Sequence, residues 1–117
     1  MNETPGETSK LLRIFIGEQD KLDHRPLYEE LVHEAKKQGL AGATVLRGIL
    51  SYGASSRIHT EKLLELSTDL PVVVEMVDRA DKIDEFMARA DELIKAAGCG
   101  ALVTTENVEV RRYEPRK

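Results

Sequence analysis

The 117-residue sequence predicts an α+β protein, a ferredoxin-like βαββαβ sandwich with a four-stranded antiparallel sheet and two helices on one face. Three observations carry that prediction. Two segments show helical periodicity, Pro26 to Gly39 and Ile83 to Ala97. Four others, near residues 11–17, 42–50, 72–77 and 101–110, have the β-branched or alternating composition of strands. Their order along the chain, β-α-β-β-α-β, is that of the split βαβ motif.

Each element has a local reason. In Leu11–Gly17, Leu12, Ile14 and Ile16 fall on one face of a strand and Leu11 and Phe15 on the other. Gly17–Arg25 reads as a polar connection. Pro26 suits the first turn of a helix, where a missing N–H costs nothing, and Leu27, Tyr28, Leu31, Val32 and Ala35 then recur at helical spacing until Gly39. Gly42–Leu50 carries Thr44, Val45 and Ile49 and reads as a strand. Ser51–Thr60 has no period and is rich in Gly and Ser, and Lys62–Ser67 fits a short strand or a helical turn equally. After Asp69-Leu70-Pro71, the run Val72–Val77 has the pattern of a strand buried on both faces. Ile83, Phe86, Met87, Ala90, Leu93, Ile94 and Ala97 form one apolar stripe, with Asp78 or Asp81 as expected N-cap and Gly98 as C-cap. Ala101–Val110 is the last strand. The expected organisation is a flexible leader at 1–10, one domain at 11–110 and a flexible basic tail at 111–117.

The composition bounds the function. Hydrophobic residues are 41% and charged residues 32% of the chain, as in an ordinary folded domain, and the formal charge of −4 argues against a nucleic-acid binder that neutralises phosphates. An RNA-binding sheet would also need aromatic platforms, and only Phe15 qualifies on the central strands. The single cysteine, Cys99, makes no internal disulfide. Met1–Lys10 has no apolar signal-peptide core, and no apolar run is long enough to span a bilayer, so the expected location is the cytoplasm without membrane insertion.

Counting faces predicts an oligomer. Two helices cover one face of the sheet, yet strand one carries Leu11 and Phe15, and strand three Val73 and Val77, on the other. Such a face is buried by other copies of the chain or, in a monomer, by its leader and tail. Glu75, among Val73, Val74, Met76 and Val77 on a central strand, needs a partner or a place at the oligomer axis, and Arg13 and Arg47 are the candidate partners.

The stretch Gly39–His59 offers chemistry of its own. Gly48 and Gly53 permit positive φ or close approach, and Ser55, Ser56, Arg57 and His59 supply groups for an anion. GATVLRG at Gly42–Gly48, Tyr52-Gly53, Ser56-Arg57-Ile58-His59-Thr60 and LSTDLPVVVEMVD at Leu66–Asp78 occur in an order that resembles the PII-like signalling proteins, in the branch filed as domain of unknown function 190. The likeness runs from about Leu11 to Val110. Ser51 stands where a glycine is more usual.

The resemblance implies a homotrimer with sheets facing inward and an adenine nucleotide (ATP, ADP or AMP) as effector in the clefts between subunits. It puts Thr44 and Gly48 at the adenine and ribose end. It puts Gly53, Ser56 and Arg57 on a loop over the phosphates, and Gly98 and Gly100 in a turn whose N–H groups approach them. Where wider PII proteins have basic residues after that turn, this chain has Ala101 and Leu102, and Arg111 and Arg112 of the tail are the compensating cations. By analogy, a partner such as a membrane transporter or channel reads the loop near 51–61.

Other readings are open at this point. Glu29, Glu30 and His33 share one helix face, His24 and His59 are further candidates, and a metal-binding trimer has a similar architecture, although no metal site is predicted. A small hydrolase is the enzymatic alternative, but no nucleophile–base order or cofactor motif appears, and no catalytic residue is expected. Gly98-Cys99-Gly100 follows a helix, whereas a phosphate-binding loop of the common NTPase kind precedes one.

Overall fold

The computed structural model describes residues 8–49 and 70–115. In chain order these form β1 (Ser9–Gly17), a small ribbon of β2 (Lys21–Leu22) and β3 (Arg25–Pro26), α1 (Leu27–Lys37), β4 (Thr44–Arg47), β5 (Pro71–Arg79), α2 (Ala80–Ala97) and β6 (Leu102–Val108). The main sheet has the order β4-β5-β1-β6, and all its pairs are antiparallel. The predicted ferredoxin-like sandwich is the observed architecture.

The core lies between the sheet and the helices. Leu12, Ile14 and Ile16 of β1 and Val72, Val74 and Met76 of β5 face Leu27, Leu31 and Ala35 of α1 and Ile83, Phe86, Ala90 and Leu93 of α2, and all are buried. The helical stripe of the sequence is thus the buried stripe, with Met87, Ile94 and Ala97 packed at its margin.

The helix ends are closed mostly by backbone. Pro26 is the N-cap of α1, one residue before the helix, and the Leu27 N–H donates to the Asp20 carbonyl at 2.8 Å. At the other end Gly39 takes φ 81°. Its N–H reaches Lys36 O at 3.0 Å, while Leu40 N–H reaches Ala35 O at 3.0 Å. This pair of bonds is a Schellman motif, and Leu40, which is buried, supplies its hydrophobic contact. Gly98 caps α2 in the left-handed region at φ 69°, as predicted.

Several expectations need correction. Neither Asp78 nor Asp81 caps α2: the N-cap is Arg79, with no side-chain cap bond, and the Ala80 N–H donates to Thr8 O at 3.0 Å. Asp78 is instead a fully buried β5 residue. Its Oδ2 accepts from Ala41 N–H at 2.9 Å and its Oδ1 from Arg79 N–H at 2.7 Å, which ties the approach to β4 to the end of β5. The polar connection 17–25 contains the β2–β3 ribbon, turned by Asp23 and His24 at φ 50° and 70°. Two positive φ angles are what a tight hairpin turn demands, and Asp and His tolerate them better than most residues. The second main strand is only Thr44–Arg47, and β1 begins at Ser9, inside the expected leader. Lys62–Ser67 lies outside the described residues.

Cys99 sits half-buried in the turn after α2. Burial, and then the neighbouring Asp20 carboxylate, push its thiol up to about 11. Both effects penalise the thiolate.

These contacts set three expected outcomes. Asp78→Ala leaves two backbone donors without their acceptor and lowers stability by about 2–4 kcal/mol, read from urea unfolding; loss of less than about 1 kcal/mol contradicts the clamp. A disulfide reagent at pH 8 modifies Cys99 about tenfold more slowly than a small free thiol, and the rate climbs as pH approaches the raised pKa. Asp20→Asn speeds the reaction at pH 8.

Candidate functional site

Register places the open face of the sheet in rows. Odd-numbered residues of β1 and β5 point away from the helices, and pairing aligns Leu102, Phe15, Val73 and Leu46 across all four strands. Leu46 is 49% and Leu102 58% exposed, while Phe15 and Val73 between them are half-buried, so this apolar row is bare at its two ends in the single chain. The adjacent row is polar: Thr104, Arg13, Glu75 and Thr44. Arg13 answers the question of Glu75. Its Nε donates to Glu75 Oε2 at 2.8 Å and its Nη1 to Glu106 Oε1 at 3.2 Å. Arg47, the other candidate, pairs with Glu18 instead.

The predicted site residues fall at two edges. Gly48 follows β4, and its N–H donates to Pro71 O at 2.8 Å. A Cβ here would stand 2.8 Å from Pro71 Cγ, so glycine is required by that close approach. Gly98 and Gly100 lie in the turn before β6. Because Gly17 pairs with Pro71 and Phe15 with Leu102, that turn and Gly48 share one end of the sheet. They stand on opposite edges, however, three strand spacings or about 14 Å apart. One chain does not bring them together. Gly98 needs its positive φ, whereas a Cβ on Gly100 would meet nothing within 4 Å. Gly53, Ser56 and Arg57, together with His59, lie outside the described residues.

Thr44 belongs to a second locality. It lies four residues from Gly48, about 13 Å along the strand. It lines a cavity of about 430 Å³ with Leu11, Glu75 and Val77 of the sheet. After β6 the chain turns back, so that Val110, Arg112 and Tyr113 wall the same cavity. The sequence offered no signal for this return beyond an aromatic residue in a charged tail. Arg112 lies with Thr44 and not at the Gly98–Gly100 turn, and it is occupied by Glu114 at 3.1 Å, while Arg111 pairs with Glu109 at 3.5 Å.

On α1, Glu30 is held by Arg25 at 3.2 Å and lies 3.7 Å from His33 Nδ1. Among the described residues no cluster of three or more His, Cys, Asp or Glu side chains could hold a metal ion. No helix among them is long and apolar enough to cross a membrane.

The chain has relatives in sequence and in fold. The DUF190 family, described as uncharacterized ACR, matches residues 9–110. A UPF0166 protein of Aquifex aeolicus is 46% identical over 101 residues, covering 86% of this chain and 91% of the relative. A UPF0166 protein of Methanocaldococcus jannaschii is 33% identical over 90 residues, 77% of this chain and 82% of the relative. Among solved structures, CPII of Thiomonas intermedia K12, a nitrogen regulatory PII-like protein bound to ADP, AMP and bicarbonate, superposes with a TM-score of 0.64 at 12% identity, covering 92% of this chain and 97% of that one. A putative PII-like signaling protein of Thermus thermophilus gives 0.57 at 20% identity, covering 87% and 88%. With the matched span coinciding with β1 through β6, the chain belongs to the DUF190 family and has the fold of the PII-like proteins.

Proposed function

We propose that this protein is a PII-like regulator that binds an adenine nucleotide in clefts between the subunits of a cytoplasmic homotrimer and signals through the segment near 51–61 to a partner protein, a membrane transporter or channel among the candidates. The observation that carries this reading is the placement of Gly48 and the Gly98–Gly100 turn at one end of the sheet but on opposite edges. A second copy, laid with its β4 edge beside the first copy's β6 edge, completes a cleft that a single chain lacks. The apolar row Leu46, Val73, Phe15 and Leu102 supplies a reason for copies to associate. CPII, which shares the fold, is described as bound to ADP and AMP, and its bicarbonate makes that anion worth testing as a second effector.

Within the cleft, roles divide by position. Thr44 and Gly48 line the base and ribose end. Gly98 and Gly100 turn backbone toward the phosphates, and Gly53, Ser56 and Arg57 close over them. Binding then favours one arrangement of that loop, and the difference in nucleotide affinity between arrangements is the signal. The protein acts by binding, with no catalytic residue assigned.

Melting of the purified protein with ATP, ADP, AMP, cyclic nucleotides, bicarbonate and divalent metals tests the reading. A nucleotide at a hundredfold its dissociation constant adds about 2.7 kcal/mol. Gly100→Ala, which has open space for its methyl group, leaves the unliganded melting temperature unchanged and weakens nucleotide binding about tenfold, or about 1.4 kcal/mol. No shift with any adenine nucleotide overturns the proposal, and steady consumption of the nucleotide transfers it to the hydrolase. The assembly is tested separately. Leu102 is mostly exposed in the single chain, so Leu102→Asp is tolerated by the monomer, and sedimentation finds monomers where the wild type is a trimer.

A further inference from the structure

We propose that Tyr113 is the platform on which the adenine ring stacks. This rests on the adenine-nucleotide reading above and assigns a residue to it that lies outside the family-matched span of 9–110. The cavity that Tyr113 walls, at about 430 Å³, is within the range of small-molecule sites. Its floor is Leu11 and Val77 on the open face of the sheet, its rim Gly42 to Thr44, and its far wall the returning tail.

Charge decides what part of a nucleotide fits there. The two charged side chains on the cavity are both engaged: Glu75 accepts from Arg13 at 2.8 Å, and Arg112 donates to Glu114 at 3.1 Å. Among the described residues lining the cavity the one cation, Arg112, is paired with Glu114, while Leu11, Val77 and Val110 supply apolar walls and Tyr113 an aromatic side chain suited to a neutral ring. Tyr113 is 43% exposed, so its ring is accessible from solvent while bordering the cavity.

The rim can read the edge of a base. Among the described strands β4 pairs with β5 alone, so alternate N–H and C=O groups of this edge strand point away from the ladder. Thr44 adds a hydroxyl that donates and accepts. A Cβ on Gly42 would meet nothing within 4 Å, so a ligand can approach the backbone there. The Ala41 N–H is already held by Asp78, which fixes the rim in place. With the base in this cavity, the ribose and phosphates run along β4 toward Gly48. The nucleotide then spans the two localities that the sequence grouped as one site.

The chain has no tryptophan, so Tyr113→Trp provides a single reporter. Its fluorescence is expected to be quenched by ADP and by adenosine, and to be unmoved by ribose 5-phosphate at the same concentration. Tyr113→Ala is expected to bind ADP and adenosine about tenfold more weakly, with an unchanged unliganded melting temperature and an unchanged assembly. Tyr113→Phe keeps the wild-type affinity. ADP binding by Tyr113→Ala at wild-type strength overturns the stacking role and leaves the nucleotide reading standing. Equal losses in the Phe and Ala variants make the hydroxyl the working group and also overturn it. Dissociation of the assembly by Tyr113→Ala identifies the cavity as a contact between copies and overturns it as well. Failure of the wild type to bind any adenine nucleotide removes both proposals together.

Discussion

A four-stranded sheet has two faces, and the two helices of this fold shield only one of them. The side chains on β1 and β5 alternate, so burying Leu12, Ile14, Ile16, Val72, Val74 and Met76 under α1 and α2 turns the intervening residues outward. Those residues are not uniformly polar. Phe15 and Val73 join Leu46 and Leu102 in an apolar row, and beside it Arg13 bonds to Glu75 within a polar one. The one-sided coverage therefore shapes everything beyond the core. It leaves an apolar row on the open face that is half-buried at its middle and exposed at its ends.

The parts of the fold visible in the sequence are those governed by local periodicity. The stripe from Ile83 to Ala97 and the alternation in β1 report burial directly, and Gly39 and Gly98 report positive φ directly; the apolar run of β5, read as buried on both faces, is buried on its even-numbered face and only half-buried on the other in the single chain. Features that depend on distant parts of the chain were not legible in the same way. Asp78 reads as a helix cap because it precedes an amphipathic run, but its real partners are the N–H groups of Ala41 and Arg79. The β2–β3 ribbon was hidden because its turn is made by Asp23 and His24 instead of the usual glycine. The environment of Glu75 was left open between Arg13, Arg47 and an oligomer axis, and register puts Arg13 opposite it. The proposed site was named from the sequence as Thr44, Gly48, Gly53, Ser56, Arg57, Gly98 and Gly100, of which Thr44, Gly48, Gly98 and Gly100 lie among the described residues. Its division between two edges and two ends of the sheet was not legible, since spacing along the chain does not encode strand order.

The three described glycines of the site owe their presence to different constraints. At Gly48 the side chain of Pro71 leaves no room for a Cβ, and at Gly98 the left-handed backbone disfavours one. Gly100 has neither reason inside the chain. A glycine that its own chain does not require leaves room for an external group to approach, so a methyl group added at Gly100 disturbs the fold least of the three.

The brevity of β4 has a consequence of another kind. Four residues held, among the described strands, by β5 alone, with Val45 only partly buried against the core, make a small cooperative unit at the margin of the described sheet. Its opening costs only a fraction of the free energy of global unfolding. The edge can thus detach and re-form while the helices and the two central strands stay intact, so backbone amides of Thr44–Arg47 exchange with solvent far sooner than those of β1 and β5. A reorganisation that begins at this edge is thermodynamically insulated from the rest of the molecule.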